Sequence, residues 1–171
     1  DGLQEGASVR LRKGDCLIEI TYDQLVESHE QLALERNMNF FSNEAKRKPD
    51  VRIDCYIAEG ERERFRSTMI LEVKYRPFWN IYSELGNTET MVQMSKYDAI
   101  KYVTMVNGRK QYNRHPVYQV ICCYPGDPRQ DILLETGSGM FLQLYPTELG
   151  ETVGLEQLKD QIRQWLKQFV G

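Results

Sequence analysis

Between Asp50 and Arg76 the chain reads DVRIDCYIAEGERERFRSTMILEVKYR. Val51, Ile53, Cys55 and Ile57 alternate with polar residues, and a second strand-like run ends in MILEVKYR. Period-two alternation of this length belongs to a strand with one buried face, not to a helix. With Gly60 between the runs, the stretch reads as two long strands joined around residues 60–64. A hairpin this long must lie in a larger sheet to bury its apolar face, and everything else in the chain has to be arranged around that sheet.

The second strand carries an oddity. Glu72 and Lys74 stand in its middle, among Ile70, Leu71, Val73 and Tyr75, where apolar side chains would pack better. A charge held near a core is costly unless it is paired or coordinates a metal. Folding the hairpin about a centre near residue 62 brings Asp50 within a residue or two of the positions facing Glu72 and Lys74. Directly opposed side chains lie roughly 4.5–5.5 Å apart at Cβ. Glu72 and Lys74, two residues apart, share the face opposite to Leu71, Val73 and Tyr75, and Asp50 shares the face opposite to Val51, Ile53, Cys55 and Ile57. Two acids and an amine are thus expected on one side of a sheet whose other side is core.

Two carboxylates this close repel, and one takes up a proton unless a cation lies between them. A hard divalent ion such as Mg²⁺ or Mn²⁺ meets that need, because it takes oxygen ligands and keeps waters that a phosphate can replace. The chemistry such a site supports is metal-assisted hydrolysis of a phosphodiester, with the lysine orienting water or offsetting phosphate charge.

The rest of the 171-residue chain is read around this hairpin. VRLRKGDCLIEITYD, from Val9 to Asp23, is expected to form another hairpin, turning at Lys13-Gly14-Asp15. DQLVESHEQLALERN has Leu25, Val26, Leu32 and Ala33 at helical spacing, and residues 37–48 read as a loop ending in a basic cluster. PFWNIYSELGN is an aromatic-rich connector, able either to stack on bases or to pack beside the site. TETMVQMSKYDAIKYVTMVNG is expected to be a helix closing at Asn107-Gly108. VYQVICCY reads as a covered strand, and DILLET and MFLQLYP as two more. The last segment, GLEQLKDQIRQWLKQFV, is an amphipathic helix with Leu155, Leu158, Ile162, Trp165, Leu166 and Phe169 on one face. The order of strands, helix, strands, helix points to a mixed α/β sandwich on a central sheet.

Composition sets limits. The length suits one domain, 1–171, divided into 1–48, a core of 49–125 and a C-terminal part of 126–171. With Asp rather than Met as its first residue, the chain is expected to be an excised piece of a longer protein. No apolar run approaches the roughly 20 residues of a membrane span, and no signal peptide is visible. Cys16, Cys55, Cys122 and Cys123 have neither a CxxC pair nor zinc spacing, so reduced thiols and a cytoplasmic location are expected. A net charge of −3 excludes a wholly basic surface, so any nucleic-acid affinity must come from local patches or attached partners.

Pro49-Asp50, followed 22 positions later by Glu72-Val73-Lys74, resembles the PD-(D/E)xK or restriction-endonuclease-like nuclease superfamily. Gln93 and Tyr97, four residues apart, look like the Q-x-x-x-Y motif of RecB-type nucleases, and helical i,i+4 spacing would put them on one face. KPDVRID, MILEVKYR and MVQMSKYDAIKY together look like the nuclease part of McrBC-type restriction subunits, over about residues 49–125. The resemblance implies an αβββαβ core with a mixed central sheet flanked by helices. It further implies Asp50 and Glu72 as metal ligands, Lys74 as the catalytic lysine with Gln93 and Tyr97 beside it, and DNA as substrate. A helix before the hairpin often supplies another acid in this family, for which Glu27 and Glu30 are the candidates. The iron–sulfur cysteines of some RecB-like nucleases are absent.

Other residues carry open readings. Lys46, Arg47 and Lys48 before Asp50, and Arg109 and Lys110 with Arg114 later, either hold a phosphate backbone or form solvated surface. Asp54 is expected to pair with Arg52 or Arg66, and His115 has no chemistry assigned. The leading function is a Mg²⁺-dependent DNA endonuclease domain of a restriction or defence system, working with further domains such as an NTPase or a base-recognition module. The alternatives are a catalytically idle binding or assembly module on the same fold, or an RNA-directed or repair nuclease.

Overall fold

The computed structural model describes residues 3–170. The chain is mixed α/β, with few helices. In order it forms β1 (Ser8–Lys13), β2 (Cys16–Tyr22), α1 (Glu30–Glu35), β3 (Phe40–Ser42), β4 (Val51–Glu59), β5 (Arg62–Val73), α2 (Phe78–Ile81) and α3 (Glu89–Lys96). A 3-10 turn (Tyr97–Ala99) is followed by β6 (Ile100–Val106), β7 (Arg109–Asn113), β8 (Val117–Tyr124), β9 (Leu133–Thr136), β10 (Gly139–Gln143), β11 (Tyr145–Pro146), β12 (Thr152–Val153) and α4 (Leu155–Leu166). Contacts group these into two compact units, one of residues 1–70 and 96–118, the other of 71–95 and 119–171.

In the first unit the strand order is β1-β2-β4-β5. The β1–β2 hairpin forms as its alternation predicts, closing from Lys13 to Cys16 across Gly14-Asp15, where Gly14 takes the positive φ of 58° that the turn requires. β2 then pairs antiparallel with β4, Ile20 opposite Ile53 and Ile18 opposite Cys55. β4 and β5 are joined by Gly60-Glu61, so the hairpin folds a residue or two earlier than the centre near 62 that the sequence suggests. A second sheet, β3-β6-β7, belongs to the same unit. Phe65 of β5 stacks on Tyr102 of β6 with ring centres 4.0 Å apart, and Phe40 of β3 meets both rings edge-on. Such a cluster binds two sheets through aromatic area and ring geometry together.

Three expectations are corrected here. The helix read over residues 23–37 shrinks to α1, because Val26 and Glu27 are extended and form bridges to Arg47 and Phe41. The loop read over 37–48 contains β3. The long helix read up to Asn107-Gly108 ends at Lys96, and residues 100–106 are strand. Val106 pairs with Arg109 across Asn107-Gly108, whose φ values are 51° and 74°. Asn-Gly is the sequence that a two-residue hairpin turn with both central φ positive demands, and IKYVTMV before it is rich in β-branched residues. Turn chemistry and strand pairing therefore overrode a helical reading.

The one-face burial expected of β4 is also corrected. Arg52, Ile53, Asp54 and Cys55 are all buried, so the strand is covered on both sides. Arg52 Nε donates to both Asp54 oxygens, at 3.0 and 2.9 Å, and Thr68 Oγ1 donates to Asp54 at 2.6 Å. Arg52 Nη2 reaches Gln24 at 3.0 Å, and its guanidinium carbon lies 4.0 Å from the Phe40 ring centre. The expected pairing of Asp54 with Arg52 is present. Burial pushes the Asp54 carboxyl up from its ordinary value, and Arg52 and Thr68 oppose that shift.

The second unit has a mixed sheet. β8 and β10 are parallel, Ile121 beside Met140, and β9 returns antiparallel to β10. Ile121, Cys122, Phe141 and Leu142 are fully buried, as an apolar strand in a covered sheet requires. Gln143, also buried, binds the preceding loop: its amide nitrogen donates to the carbonyls of Asp127, Gln130 and Asp131. In the PFWNIY connector, Phe78 packs against Tyr82, Tyr124 and Phe141, whereas Trp79 is exposed. α4 buries Trp165 completely and stands Phe169 edge-on to it, but Leu155 of the expected apolar face is exposed. All four cysteines are buried free thiols, and burial pushes the Cys55 thiol up to about 12.

Candidate active site

The end of β5 departs from the alternation expected of it. Glu72 is 1% exposed, whereas Val73 and Tyr75 are 40% and 88% exposed. The residues expected on the core side therefore face solvent, and the acid is buried. Beyond the strand, the Lys74 amide donates to the Cys123 carbonyl at 2.9 Å, continuing the pairing alongside the apolar β8.

The buried carboxylate is held by two donors. Lys74 Nζ is 2.7 Å and Gln93 Nε2 2.8 Å from Glu72 Oε1. Lys74 is partly exposed, so its ammonium keeps contact with water while neutralising the acid. Gln93 comes from α3, whose position follows from local chemistry. Thr88 Oγ1 accepts the Met91 amide at 3.1 Å, an N-terminal cap, and donates to the Ile81 carbonyl at 2.7 Å. Thr90, Met91 and Met94 are the buried residues of the helix, and Gln93 stands half-buried between them. A sequence separation of 21 residues is thereby closed to one hydrogen bond.

The second unit thus brings together Glu72, Lys74 and Gln93. Asp50 belongs to the first unit, half-buried just before β4, where its carbonyl accepts the Asp23 amide at 2.8 Å. Tyr97 also belongs to the first unit. It is 1% exposed and lies in the 3-10 turn that directly follows α3.

The two acid candidates of the N-terminal region differ. Glu27 is fully buried but extended, not helical; Arg36 binds its Oε1, and Lys46 lies 3.8 Å from its Oε2. Glu30 is on α1 and takes Lys110 at 2.5 Å and the Tyr112 hydroxyl at 3.0 Å, and the Lys110 bond holds its carboxyl below the ordinary range. The basic candidates are mostly engaged in ion pairs: Lys46 with Glu27, Arg47 with Glu44 at 3.2 Å, Lys48 with Glu5 and Asp23 at 3.0 and 3.1 Å, Lys110 with Glu30. Arg109 is exposed on β7.

Among the described residues, no group of three or more His, Cys, Asp or Glu side chains is placed to hold a metal ion. Also among them, no helix is long and apolar enough to cross a membrane. No family model matches the chain, and no curated protein or solved structure matches it.

Proposed function

We propose that this chain is a Mg²⁺- or Mn²⁺-dependent DNA nuclease domain of the PD-(D/E)xK type, acting in the cytoplasm within a restriction or defence system. The observation that supports it most is the buried Glu72 carboxylate, with Lys74 and Gln93 both at hydrogen-bond distance. These are the acid and lysine of the E-x-K motif and the glutamine of the helix that follows, the residues the resemblance singles out. A core position filled only for stability favours an apolar side chain, since a buried ion pair seldom out-stabilises hydrophobic packing.

The donor chemistry suits a hard divalent cation, which takes oxygen ligands. Glu72 would hold it, with Asp50 as the further ligand the resemblance implies. When bound, the cation would supply Lewis-acid stabilisation of charge on the phosphoryl oxygens. Lys74 places a cation beside the acid, where it orients water or offsets charge on the scissile phosphate. Gln93 fixes the carboxylate so that it does not swing when substrate arrives. The net charge of −3 is consistent with a domain that gains DNA affinity from attached domains or subunits, such as an NTPase or a base-recognition module.

Cleavage of supercoiled plasmid with Mg²⁺ or Mn²⁺, with EDTA as control, is the direct test. Metal-dependent nicking that disappears in Glu72→Gln and Asp50→Asn is expected, and nicking that survives both would refute the assignment. One observation favours a second reading: Glu72 already has a cation and an amide donor within the protein, as an idle assembly or binding module of this fold would also have. Calorimetric titration of Mn²⁺ separates the two, because the idle module would give no Glu72-dependent heat.

A further inference from the structure

The first unit contains a groove of about 1020 Å³ beside the β4–β5 turn and the β6–β7 hairpin. Arg62, Arg64, Arg66 and Arg114 line it, against Glu59 and Glu63 as its acids. Both acids are engaged: Glu63 takes Arg10 at 2.9 Å and Glu59 takes Arg64 at 3.4 Å. Arg62 donates to Asn107 at 3.2 Å, an uncharged partner, and Arg114 is exposed and forms no ion pair among the described residues. The chain is acidic as a whole, yet this groove has an excess of arginine. Guanidinium groups suit phosphate, being always charged and able to donate two parallel hydrogen bonds.

The lining also carries rings. Tyr112, which lines the groove, is 49% exposed, whereas Phe65 and the buried Tyr102 are stacked on each other. A basic groove that also offers an exposed aromatic ring is the combination that binds single-stranded nucleic acid, through backbone charge and base stacking. A volume at the upper end of the range for small-ligand sites admits a few nucleotides of one strand.

We propose that this groove docks a short single-stranded DNA segment. The proposal rests on the nuclease reading for its choice of DNA, but none of its residues belongs to the Glu72 site. Arg62-Glu63-Arg64-Phe65-Arg66 is legible in the sequence as alternating charge, although as part of a turn and strand it points to no ligand by itself.

The test is fluorescence anisotropy of a labelled single-stranded oligodeoxynucleotide and of its duplex, in EDTA, over a series of salt concentrations. Wild type should bind the single strand more tightly than the duplex. Arg62→Glu with Arg114→Glu should weaken binding at least about tenfold and lower the salt slope by about 1.4, two contacts at roughly 0.7 each. Arg62→Lys with Arg114→Lys should keep most of the affinity, and unchanged circular dichroism would show that the charge reversals fold. Binding unaffected by the charge reversals would overturn the groove and leave the nuclease reading intact, as would a wild type that does not bind single strands. Equal binding of the duplex would overturn the single-strand assignment. Groove-dependent binding without metal-dependent cleavage would instead defeat the nuclease reading and keep the groove.

Discussion

The Lys74 ammonium lies 2.7 Å from Glu72, and that pair occupies a stretch where the carboxylate is buried while the valine between them is exposed. Removing either partner has a different consequence. Lys74→Ala leaves a buried acid with only the Gln93 amide among its two named donors, and should cost about 1.5–3 kcal/mol, the range for a hydrogen bond to a charged group. Glu72→Gln keeps the shape and removes the charge, so it should cost less stability while lowering metal-dependent nicking about 100-fold or more. Urea denaturation and plasmid nicking, measured on the same preparations, check the two trends. Equal loss of stability and activity in both variants would mean that the pair is structural.

Gln93→Glu tests the role of the amide. It places a second carboxylate beside Glu72, where like charges repel and the neutral donor is lost. Nicking should fall further in Gln93→Glu than in Gln93→Ala, which adds no charge. Equal nicking by the two variants would show that the amide does not hold the Glu72 carboxylate.

A contrasting expectation holds for Asp54, the other buried acid of the hairpin. Its carboxylate takes two bonds from Arg52 and one from Thr68. Asp54→Ala should destabilise by about 3–5 kcal/mol, because it strands a buried guanidinium. Replacing both partners with apolar residues, Arg52→Met with Asp54→Leu, should recover much of that loss. Thermal and urea unfolding of the three proteins decide it, and an Asp54→Ala protein as stable as the double variant would contradict the burial argument.

Two glycines with the same φ of +81° separate backbone strain from crowding. A Cβ at Gly150 would meet nothing within 4 Å, so Gly150→Ala should cost only the roughly 1–2 kcal/mol of a left-handed alanine. At Gly154, the residue just before α4, the same Cβ would lie 1.8 Å from the Gln143 carbonyl oxygen. Gly154→Ala should therefore cost well beyond the strain alone, because backbone must move to admit it. Similar midpoints in urea for the two variants would refute the crowding.

Much of this is written in the sequence. Alternation around Gly14 and Gly60 determines the β1–β2 and β4–β5 hairpins, because period two has only one regular backbone solution. VYQVICCY determines a covered strand, and the spacing of Glu72-Val73-Lys74 and Gln93 marks the candidate site. Residues 100–106 were decided elsewhere. Tyr102 has strand partners on both sides, Phe40 from β3 and Asn113 from β7, so pairing with segments far along the chain replaced a helix that local spacing favoured. Which face is covered was likewise a tertiary matter: Glu72 went inward while Val73 and Tyr75 went outward, and Arg52 and Asp54 were buried together. Alternation says that two faces of a strand differ. Only what packs against each face, and whether it brings a lysine, a glutamine or an arginine to a buried acid, determines which of them becomes interior.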